Sequence, residues 1–156
     1  MSEREDTAKT HEKFSVQCFN SAWELLDRID RSLAEDEEML RLSITSIWHW
    51  TQRSDCTNQN LAMGYWQVSR IHAVQGRADE ARRYGELCLA ASVDKKDDQI
   101  APFMLAYAYE ALARAESAAS EPEKRDHYVA EARKIAETIC DPDTLKMLLD
   151  DLATIL

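Results

Sequence analysis

The side chains with chemical capacity gather on two helical patterns. In Asn58–Gly76, NQNLAMGYWQVSRIHAVQG, a helical step places Leu61, Tyr65, Val68 and His72 on one face and Met63, Trp66, Arg70 and Val74 nearly opposite. In the stretch that follows, Phe103, Tyr107, Glu110 and Arg114 share a face, while Leu105, Tyr109 and Leu112 point elsewhere. The chemistry open to this set is recognition. A guanidinium reads a carboxylate through two parallel N–H donors, so Arg70 and Arg114 are candidate anion clamps, with Trp66 and Tyr107 as aromatic walls. A second arrangement uses the same residues without a ligand. Glu110 and Arg114 stand i,i+4 in the favourable order and can pair with each other. Trp66 and Tyr107 can be core, and Arg70 can satisfy Glu110 across adjacent helices.

Bond-making chemistry has no comparable support. His11, His49, His72 and His127 fall on four different helical patterns, without the close His or Cys spacing of a metal site. His72 lies on an apolar face and reads as a hydrogen-bonded core histidine. His49, between Trp48 and Trp50, either borders the binding face or sits at an exposed or interface position. No nucleophile elbow and no Gly-rich phosphate loop occurs. Glu35–Glu38 suits a helix N-terminus and Asp94–Asp98 a solvated loop, and neither has the spacing of a calcium loop. We therefore expect no cofactor and no metal, and the residues point to no particular reaction.

Composition bounds the rest. The 156 residues are enough for one domain with its own core, and only 3 Gly and 3 Pro occur, an all-helical composition. A net charge of −10 argues against nucleic acid and against a polybasic membrane-surface helix. The start of the chain, MSEREDTAKTHEK, has no apolar signal region, and no run reaches membrane-span length, so the expected location is the cytoplasm. Cys18, Cys56, Cys88 and Cys140 are scattered and read as reduced thiols, with Cys18 and Cys88 on apolar stripes.

Seven helices must position these groups. The first is expected from about Thr7 to Ile29, and a Ser32–Glu35 capping box opens a second through about Thr51. Asn58 can cap the third, and Gly76 can end it in a left-handed conformation. Ala78, Ala81, Gly85 and Cys88 form a small-residue stripe on the fourth, which permits close approach. Ser92–Asp98 is a charged loop before a fifth helix, roughly Gln99–Ala119. A second capping box, Ser120–Glu123, starts the sixth, and Asp141-Pro142 starts a seventh. The helices pair over about residues 7–51, 58–92 and 99–139, with a capping helix over about 142–155. The turns near Ser32, Gly76 and Ser120 recur at about 44 residues, within the range of helical repeat arrays.

At Gly64-Tyr65-Trp66, Gly76, Ala81, Tyr84 and Ala90 the pattern resembles a tetratricopeptide repeat, with Gly76 as the turn glycine and Ala81 as the small residue of the second helix. The third pair is degenerate, with Ser120 and Arg125 at those positions, and the first fits by periodicity only. Over its length the chain also resembles small bacterial tetratricopeptide-like proteins of unassigned function, through Phe19–Trp23, Trp66–Arg70 and Ala106–Ala115. The resemblance implies an all-α, right-handed array of three antiparallel helix pairs plus a capping helix. It also implies a scaffold that binds a protein or peptide segment on its first-helix surface. Trp66, Arg70, Tyr107, Glu110 and Arg114 then face the groove, with His49 at its border, and the arginines suit an acidic or C-terminal segment. Two other functions use the same residues or faces: an anionic-metabolite binder or enzyme, and a homodimer through Met39, Leu42 and Trp50 or through the terminal helix.

Overall fold

The computed structural model describes residues 3–94 and 100–155. Among them are seven α-helices and no strand: α1 Glu3–Leu26, α2 Leu33–Thr51, α3 Asn58–Val74, α4 Ala78–Ser92, α5 Pro102–Ala118, α6 Pro122–Ala136 and α7 Pro142–Ala153. Residues 95–98 of the expected charged loop lie outside the described residues.

Helix ends follow local chemistry with three corrections. Ser32 and Glu35 form the expected capping box at α2. At α3 the cap is Thr57, reciprocated by Asn60, so Asn58 is already inside the helix. α1 stops at Leu26, short of the expected Ile29, which is fully exposed. Its last carbonyls are taken by a guanidinium, since Arg31 Nη1 donates to the carbonyls of Leu25 at 3.2 Å and Leu26 at 3.1 Å. A cation fits there because the C-terminal carbonyls carry partial negative charge.

The third correction concerns Ser120. It does not cap α6, where Glu121 holds the cap position without a side-chain bond. Instead Ser120 takes φ 59°, as Gly76 takes φ 71°. Around Gly76, Arg77 N donates to His72 O at 2.9 Å and Gly76 N to Ala73 O at 3.0 Å. Around Ser120, Glu121 N donates to Glu116 O at 2.9 Å and Ser120 N to Ser117 O at 3.0 Å. One helix-ending motif therefore recurs at corresponding positions of α3–α4 and α5–α6, and Ser120 does a glycine's work. A side chain is strained there, so Ser120→Gly is expected to raise stability by about 0.5–1 kcal/mol, read as a higher urea midpoint. An unchanged or lowered midpoint would contradict this.

Each helix packs most closely against its partner in the pairs α1–α2, α3–α4 and α5–α6. Pairs are antiparallel: His11 meets His49 while Ser46 Oγ donates to Ser15 O at 2.6 Å. Tyr65 and His72 both contact Tyr84, as expected for the intra-pair face of α3. The first helices α1, α3 and α5 run parallel, joined by Trp23–Trp66 and Trp66–Tyr107 ring contacts. Gln67, fully buried, ties three helices: it accepts from Ser43 Oγ at 2.7 Å and donates to Phe19 O at 3.0 Å. The small-residue stripe of α4 does what its composition suggested, since a Cβ on Gly85 would sit 2.9 Å from Leu112 Cδ2. Met39, offered as a dimer contact, is instead fully buried against Ala22 and Ile71, where a second copy cannot reach it. No helix among the described residues is long and apolar enough to cross a membrane.

Candidate functional site

Because the first helices run parallel, their inward stripes converge on one surface. α1 contributes Phe19 and Trp23, α3 Met63 and Trp66, and α5 Phe103, Met104 and Tyr107. The fourth wall is α7, through Thr144 and Met147. Together they line a cleft of about 340 Å³ whose lining is aromatic and methionine except at Thr144. Trp66 touches Trp23 at 5.3 Å and Tyr107 at 4.9 Å between ring centroids, so three aromatic rings form a continuous floor.

Beneath that floor lies an ion network. Glu110 is fully buried and accepts from Trp66 Nε1 at 2.7 Å, from Arg114 Nε, and has Arg70 Nη1 at 4.0 Å. Asp151 of α7 accepts from Arg70 Nη1 at 2.8 Å and from the Tyr107 hydroxyl at 3.3 Å. Arg114 Nη2 donates to Asp151 O at 2.8 Å and Thr154 Oγ1 at 2.6 Å. Two carboxylates thus balance two guanidiniums, which is what makes buried charge tolerable. Burial, with Asp151 and Glu110 nearby, pushes the Tyr107 phenol well above its ordinary range, so it stays a neutral donor. Arg70 also sits 5.5 Å from the Trp23 ring and 5.8 Å from the Trp66 ring, which favours the cation electrostatically.

Trp66, Arg70, Tyr107, Glu110 and Arg114 are therefore brought together, and the arginines are committed to Glu110 and Asp151. His49 is elsewhere. Its ring meets Phe14, Trp48 and His11, with the two Nδ1 atoms 2.9 Å apart, and none of these lines the cleft. Sequence reasoning placed Phe103 on the Tyr107 face without a site role and passed over Trp23 and Asp151. Trp23 and Phe103 had a usable signal, an aromatic residue on the first helix of each pair. For Asp151 the signal was weaker, an acid between Leu148 and Leu152 on an otherwise apolar stripe.

His72 is buried and stacked on Tyr84, but its Nδ1 has no hydrogen-bond partner among the described residues, so the expected bond is missing. Burial lowers its pKa, Arg77 and Arg83 act the same way, and Glu80 opposes them. His49 is lowered by burial and then by His11. An unfolded histidine titrates near about 6.5. Below that pH the unfolded chain takes up protons more readily than the folded one, so stability declines until pH passes the folded values. The urea midpoint is thus expected to fall between about pH 7 and pH 5, and His72→Phe to flatten that slope. A flat wild-type profile, or a variant with an unaltered slope, would contradict this.

The cysteines are unpaired, with Cys18 and Cys88 buried, and burial pushes the Cys88 thiol up to about 12. Among the described residues no three metal-ligating side chains cluster. No protein-family model, curated protein or solved structure matches this chain.

Proposed function

We propose that this chain is a non-enzymatic interaction module, built as a tetratricopeptide-like array, that holds a segment of a protein partner against α1, α3 and α5. The observation that carries this reading is the cleft itself: four helices contribute to it and, Thr144 apart, its walls are aromatic rings and methionines. Such surfaces take apolar side chains as anchors, and methionine lets them adapt to different shapes. Two further features support the repeat architecture. α3–α4 and α5–α6 have matching lengths and matching left-handed turns, and the first helices run parallel.

The partner's contribution is then an apolar anchor, because the guanidiniums that would clamp a carboxylate are already neutralised. The same pairing takes away the basis for an anionic metabolite in this site. Trp66 is 9% exposed and bonded to Glu110, so it is a poor probe of binding. Trp23 and Met147 lie at the lip, Met147 being 62% exposed. A photo-reactive residue at position 147 is expected to capture a partner that one at Glu86, exposed on α4, does not. Trp23→Ala is expected to weaken that complex by about 2 kcal/mol, roughly 30-fold in Kd. Equal capture at both positions, or unchanged affinity in a folded Trp23→Ala protein, would sink the reading.

A further inference from the structure

The electrostatic surroundings of the cleft narrow the class of partner. This inference rests on the interaction reading above and specifies the occupant. Arg70, beside the Trp23 and Trp66 rings, and Arg114 are turned into the network with Glu110 and Asp151. What flanks the apolar lip is acidic. On α7, Asp143 and Asp150 stand one turn before and one turn after Met147, and both are exposed. On the opposite wall, exposed Asp27 follows Trp23 by one turn, its N–H donating to Trp23 O at 2.9 Å. Only Asp150 has a cation, Lys146 Nζ at 2.5 Å, and among the described residues neither Asp27 nor Asp143 has an ion-pair partner.

We infer that the cleft takes a cationic amphipathic helix, its bulky apolar side chains on the Trp23–Trp66–Met147 surface and its lysines or arginines against Asp27, Asp143 and Asp150. Three arguments converge. The apolar cavity has room for one or two large side chains. The methionines Met63, Met104 and Met147 supply an adaptable lining for a helix face. Three flanking carboxylates against one lysine, on a chain of net charge −10, select positive charge in the partner.

The test uses the whole chain and three amphipathic helical peptides with one leucine face, whose polar positions are all Lys, all Gln or all Glu. Tryptophan fluorescence follows binding at low ionic strength. The Lys peptide is expected to bind about tenfold or more tighter than the Gln peptide, and the Glu peptide more weakly than either. Asp27→Asn/Asp143→Asn is expected to remove most of that preference. Glu86→Gln/Glu123→Gln, the same charge change at exposed positions on α4 and α6, is expected to keep it. Circular dichroism confirms that both variants are folded. Equal binding of the Lys and Gln peptides overturns the inference and leaves the apolar cleft standing. So does loss of preference in the Glu86/Glu123 variant, which marks the attraction as that of net charge alone. If no leucine-faced peptide binds, both the inference and the interaction reading fall.

Discussion

Replacing Glu110 with alanine is expected to lower stability by about 3–5 kcal/mol, measured as the loss in unfolding free energy in urea. Glu110 has no exposure to water and is shared by Trp66 Nε1 and Arg114 Nε, with Arg70 at 4.0 Å. Its removal leaves an indole N–H without an acceptor and strips one anion from a network of two anions and two cations. The Asp151 carboxylate remains on Arg70, and Arg114 keeps the Asp151 carbonyl and Thr154 Oγ1. The two guanidinium side chains are 18% and 13% exposed, which favours the lower half of that range. Glu110→Gln keeps an acceptor for Trp66 and should cost less than alanine. Because Glu110 and Arg114 act as a unit, Glu110→Ala/Arg114→Ala should cost clearly less than the sum of the single changes. Additive losses, or a Glu110→Ala loss below about 1 kcal/mol, would show that the network contributes little to stability.

Leu148→Ala is expected to cost about 2–5 kcal/mol and to act mainly on α7. Leu148 has no exposure, and with Leu152 it anchors α7 on the main core. A helix of 12 residues has too few hydrogen bonds to persist alone, so loosening its apolar face releases it as a unit. Release removes Thr144 and Met147 from the cleft and Asp151 from Arg70 and Tyr107. Hydrogen exchange should therefore show α7 amides losing protection before those of α3 and α5, and cleft binding should weaken in step. Uniform loss of protection across all helices would contradict a separable α7.

The sequence read the fold more fully than the site, for physical reasons. Helical periodicity and punctuation at Ser32, Gly76 and Pro142 are local signals, and all seven helices sit close to where they point. The face of α3 carrying Tyr65 and His72 was legible because intra-pair packing follows that period. The Glu110–Arg114 pair was legible as an i,i+4 spacing, whereas the partner expected for Glu110 across the helices, Arg70, stands at 4.0 Å and the direct bond comes from Trp66 Nε1. Asp151 was out of reach. It meets Arg70 across 81 residues, and no local pattern encodes where a terminal helix lands. The His11–His49 contact is hidden for the same reason, since it depends on how α1 and α2 cross. Ser120 has two readings, the start of a Ser-x-x-Glu cap and the place of a turn glycine; the cap fails because the Ser120 backbone ends α5 at φ 59° and Glu121 holds the cap position of α6.

The contact between Trp66 and Glu110 also governs what may be done with the order of the units. Corresponding positions of α3 and α5 hold a donor in one unit and an acceptor in the next, and the two are bonded across 44 residues. The α3–α4 and α5–α6 pairs are therefore not interchangeable parts. A second copy of the Asn58–Ser92 unit inserted after the first would set indole against indole with no acceptor between them. A second copy of the Pro102–Ala136 unit would bury two carboxylates side by side. At this position α3 and α5 are complementary and not equivalent, so the order in which the two helices follow each other is fixed by a donor meeting its acceptor.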